Sequence, residues 1–191
     1  MASEAVDEQP SAPSELSAEE RERRDAALAN VRQLGDPVLR TRALDVAQFD
    51  AQLREQVDRM RDVMDGALGV GLAATQVGLV QRVLVYRVEE ESPIVALINP
   101  QIQWRGDQLE TAEEGCLSIP GVHVEVERNV HVRVGALDEA GTPLLIEASG
   151  LEARVLQHEI DHLDGVLILD RTSREQRREA MRAWRELQQA G

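Results

Sequence analysis

The chain has 191 residues and a formal net charge of −14, from 21 basic and 35 acidic residues. Its length fits one domain with a tail, and its acidity argues against general affinity for DNA or for anionic membranes. The single cysteine excludes an intrachain disulfide, and an aromatic content of 2% argues against binding of single-stranded nucleic acid. No apolar run approaches the ~20 residues of a membrane span, and the acidic first ten residues resemble no targeting signal, so we expect a cytoplasmic protein.

The N-terminal region, residues 1–30, is predicted to be a tail outside the folded core. Residues 1–16 contain two prolines, several acids and almost no large apolar side chain, which predicts disorder. Ser17 is followed three residues later by Glu20, the pattern of a capping box. A short charged helix is therefore predicted to continue to about residue 30.

Hydrophobic periodicity predicts an α+β core. Residues 48–65 carry apolar side chains at spacings of three and four, which predicts a helix, whereas the segment 69–78 is too rich in glycine for a regular element. Short apolar or alternating runs predict β-strands at 82–88, at 94–98 with an end at Asn99-Pro100, and at 122–127, 130–137 and 144–148. The order favours antiparallel or mixed strands packed around a central buried helix, with one helix near the N-terminus and another at the C-terminus.

The predicted central helix, residues 150–165, contains an HExxH motif. His158 and His162 are four residues apart, so both imidazoles lie on one helical face and can reach one metal ion. Glu159 lies about 100° further round the helix, where its carboxylate can act on a water molecule beside the metal. Because two inward histidines and a carboxylate are costly to bury without a metal, the motif favours a metal site over hydrogen-bonded core histidines.

Two histidines leave such a site one protein ligand short of the usual three. A metzincin would have a third histidine at the position of Ile168, so that class is excluded. Glu179 or Glu186, on the predicted C-terminal helix, would complete a thermolysin-like peptidase site, whereas Cys116 would supply a thiolate that suits a borderline-soft metal. A structural metal domain would need a fourth ligand, and none is apparent in the sequence.

Three separated motifs together resemble the signatures of the peptide deformylase family. They are GVGLAATQ at 69–76, EGCLS at 114–118 and QHEIDHLDG at 157–165. The motifs stand in the family's order, and the resemblance covers about residues 31–170, which it identifies as the catalytic domain. The tail at 1–30 lies outside it, and residues 171–191 are predicted to form the C-terminal helix.

The resemblance implies a role for individual residues of these motifs. The implied metal ligands are Cys116, His158 and His162. Glu159 is the implied acid/base, while the Gln76 side chain and the Leu117 backbone N–H would stabilise the oxyanion. Val70 and Gly71 would present backbone groups to an extended peptide. Glu114 and Arg128 could pair beneath the site or be ordinary surface charges, and Asp161 is expected to be solvated.

The activity implied by the resemblance is removal of the formyl group from the N-terminal formyl-methionine of new polypeptides, with release of formate. The family uses one divalent metal ion, with Fe(II) as the native ion, and the ligand set also suits Zn(II), Ni(II) or Co(II). Six arginines in residues 171–185 form a basic patch in this acidic chain. It predicts either an ordinary solvated helix or, as in related bacterial enzymes, a contact with the ribosome.

Overall fold

The computed structural model describes residues 16–190, so the predicted disorder of residues 1–16 falls, except for Leu16, outside the described part. The helices are α1 (Ala18–Leu28), α2 (Ala51–Gly66), α3 (Gly150–Leu163) and α4 (Arg174–Ala190). The strands are β1 (Gly71–Ala73), β2 (Val83–Tyr86), β3 (Val95–Arg105), β4 (Leu109–Gly115), β5 (His123–Asn129), β6 (His131–Leu137) and β7 (Pro143–Ser149). This arrangement confirms the predicted α+β class. Within residues 16–190 no helix combines the length and the apolar character that a bilayer crossing requires.

The strands form two antiparallel sheets. The larger sheet has the order β1-β2-β3-β6-β7, and the smaller one pairs β4 with β5. Residues on opposite faces of β2 show how the larger sheet is covered: Leu84 packs with Leu156 of α3, whereas Val83 packs with Met60 of α2. The larger sheet therefore lies between α2 and α3, which buries most of α3 and the motif on it.

The smaller sheet is covered by the C-terminal helix. Val124 and Val126 of β5 pack against Ala180 and Trp184 of α4, and all four side chains are buried. Burying aliphatic and aromatic side chains of this size contributes roughly 1.5–3 kcal/mol each. Helix α4 is therefore part of the folded core and not a solvated appendage.

The predicted N-terminal helix is present and is docked on α2. Ser17 caps it: its hydroxyl accepts a hydrogen bond from the Glu20 N–H at 3.2 Å, and Glu20 Oε2 accepts one from the Ser17 N–H at 2.7 Å. Helix α1 passes so close to the end of α2 that a Cβ added at Gly66 would lie 2.9 Å from Cβ of Ala27. Only a glycine leaves space for this approach.

Three strand predictions differ from the structure. The predicted end of a strand at Asn99-Pro100 is wrong, because β3 continues through a register shift to Arg105. Asn99 adopts a φ of 53°, and its side-chain amide bonds both the N–H and the C=O of Val46, which stabilises the irregularity. The glycine-rich segment does contain a short strand, β1. Strand β4 was not predicted, because its sequence LETAEEG lacks apolar alternation.

Candidate active site

The structure brings the side chains of Cys116, His158 and His162 together. Cys116 follows the last residue of β4, whereas both histidines project from α3. One potential ligand atom from each residue lies within 4.8 Å of the other two, and Cys116 Sγ is 3.2 Å from His162 Nε2. Glu179 and Glu186, the alternative third ligands, are exposed on α4 and do not belong to this cluster.

Glu114 fixes the orientation of the His158 imidazole through a hydrogen bond. Its Oε2 lies 3.0 Å from His158 Nδ1, and its two oxygens accept hydrogen bonds from Arg128 Nε and Nη2 at 2.9 Å each. Arg154 Nη1 donates a further hydrogen bond to Glu114 Oε1 at 2.8 Å. Burial alone would raise the pKa of Glu114, but the hydrogen bonds from His158 and Arg128 hold this pKa far below its usual range. The pairing of Glu114 with Arg128 is thus present, and both groups are buried.

Asp161 is not solvated, contrary to the prediction. Its carboxylate is buried and accepts hydrogen bonds from Arg128 Nη1 at 2.5 Å, from Arg171 Nε at 3.0 Å and from Arg171 Nη2 at 2.5 Å. The helical pattern placed Asp161 on the polar side of α3, but that side faces β5 and the segment before α4 rather than water. A charged chain therefore runs from His158 through Glu114 and Arg128 to Asp161.

Glu159 lies in the same cavity with one carboxylate oxygen available. The side chain is 4% exposed, and its Oε2 has no hydrogen-bond partner within residues 16–190. Burial raises the pKa of Glu159 to about 7. A Cβ added at Gly71 would lie 2.4 Å from Glu159 Oε1, so the absence of a side chain at Gly71 leaves space for this carboxylate.

Gln76 is held with its amide nitrogen directed at the cluster. Its Oε1 accepts a hydrogen bond from the Ala73 N–H at 2.8 Å, while its Nε2 lies 3.7 Å from Cys116 Sγ and 3.3 Å from Ser118 Oγ. The side chain is buried in the short 3-10 turn that follows β1. One end of the amide thus stabilises the backbone, and the other end points at the cysteine.

These groups line one cleft of about 430 Å³. Val70, Gly71, Leu117 and the apolar Leu151 form part of its wall, together with Gln76, Cys116, His158 and Glu159. Strand β1 is an edge of the larger sheet, so one side of its backbone is open toward the cleft. The structure therefore gathers most of the predicted site residues around a single cavity, and the buried His162 joins them through the ligand cluster with Cys116 and His158.

Sequence reasoning gave no role to Ser118, which contacts Gln76, or to Arg24, which lines the cleft. Ser118 lies within the EGCLS motif, and its position two residues after Cys116 is a signal that could have been used. Arg24 lines the cleft from α1, although it belongs to the region predicted to be a tail. No local sequence pattern marks Arg24, because only the docking of α1 on α2 brings it to the cleft.

The residues present fit a metal ion. With His158 Nδ1 bound to Glu114, its Nε2 remains available as a ligand atom. Burial lowers the pKa of His162 well below its usual range, which keeps this imidazole in the neutral form that binds metals. Among residues 16–190 the buried Oε2 of Glu159 lacks a hydrogen-bond partner, as expected where protein atoms alone do not complete a site.

The fold and this cluster define a class of protein, the HExxH hydrolases with a mixed imidazole and thiolate site. Comparison with family models identifies the family within that class. Residues 28–178 match the model described as polypeptide deformylase, and the chain belongs to this family. The membership confirms the resemblance drawn from the three motifs and the expectation that the chain is an enzyme.

Similar proteins agree with this assignment. A peptide deformylase of a Picosynechococcus species is 46% identical over 159 residues, which cover 82% of this chain and 85% of the relative. The crystal structure of the Synechococcus elongatus peptide deformylase in complex with actinonin superposes with a TM-score of 0.77 at 44% identity, covering 80% and 85% of the two chains. The peptide deformylase of Legionella pneumophila gives a TM-score of 0.80 at 38% identity, covering 84% of this chain and 95% of the other.

Proposed function

We propose that this protein removes the formyl group from the N-terminal formyl-methionine of newly synthesised polypeptides and releases formate. The observation that carries the proposal is the cluster of Cys116, His158 and His162 beside a cleft that Glu159 also lines. We assign this activity to the domain at 31–170, with residues 171–191 as the C-terminal helix.

One divalent ion would be held by the thiolate of Cys116 and the imidazoles of His158 and His162. We propose Fe(II) as the native ion, and Zn(II), Ni(II) or Co(II) are compatible with the same ligands. When bound, the ion supplies Lewis-acid polarisation of the formyl group and a lower pKa for the attacking water.

Glu159 transfers the proton in the proposed reaction. Its free Oε2 takes a proton from the attacking water, whose oxygen forms a bond to the formyl carbon. The same carboxyl then gives the proton to the amide nitrogen as the C–N bond breaks, so the products are formate and a free amine. A pKa of about 7 suits a group that must accept and return a proton near neutral pH.

Two hydrogen-bond donors are placed to stabilise the charge that develops on the formyl oxygen. Gln76 Nε2 points toward Cys116, and the Leu117 N–H donates to no backbone acceptor among the described residues. Donors fixed before the reaction stabilise an oxyanion without a cost for reorganisation. The substrate chain would extend along Val70 and Gly71, adding to the open edge of β1.

The test of this function is formate release from formyl-Met-Ala-Ser by the wild type and by Glu159→Gln. We expect the variant to keep its metal content and its melting temperature but to lose roughly 10²–10⁴-fold in kcat. Acetyl-Met-Ala-Ser serves as the control substrate that lacks the formyl group. Wild-type rates in Glu159→Gln, or no formate release by the metal-loaded wild type, would contradict the proposal.

We also propose that α4 contacts the ribosome, the source of the nascent chains. Two of the six arginines of residues 171–185 are neutralised within the fold, Arg171 by Asp161 and Arg177 by Asp170. The other four have no carboxylate within 4.0 Å in the described part of the chain: Arg174, Arg178, Arg182 and Arg185. A basic surface on an otherwise acidic protein suits a phosphate-rich partner.

Charge reversal tests this contact better than truncation, because truncation would remove Trp184 from the core. Arg178→Glu and Arg182→Glu together should weaken salt-sensitive co-sedimentation with ribosomes and leave turnover of formyl-Met-Ala-Ser unchanged. Equal co-sedimentation of the wild type and the double variant would contradict the ribosome contact.

A further inference from the structure

The N-terminal helix forms part of the wall of the active-site cleft. Helix α1 ends at Leu28, where the match to the family model begins, so almost all of it precedes the matched region. Its Arg24 nevertheless lines the cleft that contains Cys116 and His158. A segment outside the family's matched domain thus supplies a charged side chain to the substrate cleft.

The position of Arg24 is fixed by contacts on both sides of it in sequence. One residue before, Arg23 forms an ion pair with Asp65 at the end of α2. Arg87 holds the same carboxylate at 2.7 Å, so Asp65 is itself anchored. Three residues after Arg24, Ala27 fits against Gly66 in the close approach of α1 to α2.

The charge of Arg24 has no acidic partner among the described residues. The residue is half-buried, and no carboxylate of residues 16–190 lies within 4.0 Å of its guanidinium. The exposed Glu113 lines the same cleft and adds a negative charge there, in a protein of net charge −14. The positive charge of Arg24 would offset the repulsion of an acidic peptide.

The location of α1 relative to the glycine segment sets which part of a substrate Arg24 can meet. Gly71 lies against Glu159, where the formyl group must react, and Gly69 lies against Leu117. The two residue steps between these glycines span about 7 Å of extended chain. Gly66, the last residue of α2, contacts α1 and precedes Gly69 by three residues in the chain. Because Arg24 lies on α1, we place it beside the residues that follow the methionine.

We propose that Arg24 is a specificity-determining residue that binds a side-chain carboxylate, from Asp or Glu, two or more residues after the formyl-methionine. The proposal rests on the deformylase function proposed above. A guanidinium can hold a carboxylate through two parallel hydrogen bonds, which makes it a suitable group for this purpose. Arg24 would thereby allow this negatively charged enzyme to process polypeptides whose N-terminal residues are acidic.

The experiment compares kcat/KM for three amidated peptides: formyl-Met-Ala-Asp-amide, formyl-Met-Ala-Ser-amide and formyl-Met-Ala-Lys-amide. Amidation removes the terminal carboxylate, so only the side-chain charge differs. In the wild type at low salt we expect the Asp peptide to be turned over as well as the Lys peptide or better. Arg24→Ala should lower the Asp-to-Lys ratio ~2- to 5-fold, the range for a partly exposed ion pair, and Arg24→Glu should lower it further.

The matched control is Arg21→Ala, since Arg21 is exposed on the same helix and does not line the cleft. This control should keep the wild-type ratio, and 0.5 M salt should reduce the difference between wild type and Arg24→Ala. An unchanged ratio in Arg24→Glu would overturn the proposal. The Ser peptide separates the two claims, because its turnover tests the deformylase function and does not depend on Arg24.

A further variant, Gly66→Leu, tests whether the docking of α1 on α2 is what places Arg24 at the cleft. Gly66→Leu places a Cβ 2.9 Å from Cβ of Ala27 and should displace α1 while leaving Arg24 in the sequence. We expect its Asp-to-Lys ratio to fall to that of Arg24→Ala, with the Ser peptide still turned over. A wild-type ratio in Gly66→Leu would contradict the proposed placement.

Discussion

His158 Nδ1 and Glu114 Oε2 lie 3.0 Å apart, although 44 residues separate them in the chain. The carboxylate accepts a hydrogen bond from the Nδ1–H group. This hydrogen bond fixes the tautomer of the imidazole and leaves Nε2 directed at the ligand cluster. Because Arg128 holds both oxygens of Glu114, the imidazole is oriented by a group that cannot itself rotate. The geometry of the ligand cluster therefore depends on residues that do not belong to it.

Substitution of Glu114 should weaken the metal site without removing a ligand. We expect Glu114→Gln to reduce metal affinity or activity roughly 10- to 100-fold, because the neutral amide orients His158 less firmly and leaves Arg128 short of a charge partner. Competition with a chelator followed by metal analysis measures the loss. Glu127→Gln is the matched control, since Glu127 is exposed on β5, and a loss of equal size in both variants would contradict this role.

Gly71→Ala should impair the reaction through Glu159. The added Cβ would lie 2.4 Å from Glu159 Oε1, so the carboxylate must move away from its present position. The backbone at Gly71 does not have a positive φ, so the loss would not come from backbone strain. We predict a fall in kcat with metal content retained, measured by formate release and metal analysis. Wild-type kcat in Gly71→Ala would show that Glu159 does not need this space.

Substitution of Gln76 tests the donor assigned to the oxyanion. Gln76→Leu removes both the Nε2 donor and the acceptor of the Ala73 N–H, so we expect kcat to fall roughly 10²–10³-fold and stability to fall by about 1–3 kcal/mol. Gln76→Glu keeps an acceptor for the Ala73 N–H but places a carboxylate in a buried position beside Cys116, so it should also lower kcat and stability. A rise in KM at constant kcat would instead mean that Gln76 binds only the ground state.

Asp161 should contribute to stability through Arg128 and Arg171. Asp161→Ala removes one of the two carboxylates that hold the buried Arg128 and leaves Glu114 as its partner, so we expect a loss of about 1.5–3 kcal/mol. Asp58 provides the control, because its pair with Arg61 is exposed and its removal should cost less than about 1 kcal/mol. Urea unfolding of both variants measures the difference, and equal losses would contradict the structural role of Asp161.

The elements that sequence predicted well are those with local signals. The capping box at Ser17 and the HExxH spacing on α3 each depend on residues three or four positions apart, and the structure contains both helices. In the larger sheet, β2 follows from an apolar run that is buried on both faces, and β6 follows from an alternating run. Hydrophobic side chains at regular spacing are therefore sufficient to predict most of the core.

The features that sequence missed depend on which elements meet in space. Asp161 has the pattern of a solvated residue, and only the approach of Arg128 and Arg171 shows that it is buried. Strand β4 has no apolar alternation, because pairing with β5 rather than burial determines its conformation. Arg24 reaches the cleft only because α1 docks on α2, through the pair of Arg23 with Asp65 and the packing of Ala27 against Gly66. Such contacts have no signature within a window of a few residues.

The most direct test of the proposed metal site is a comparison of Cys116→Ala with Glu179→Ala, each assayed for bound metal and for deformylation of formyl-Met-Ala-Ser. Cys116 lies in the ligand cluster, whereas Glu179 is exposed on α4. We predict that Cys116→Ala loses both metal and activity and that Glu179→Ala keeps both. Retained metal and activity in Cys116→Ala, with both lost in Glu179→Ala, would contradict the account and select a thermolysin-like site instead.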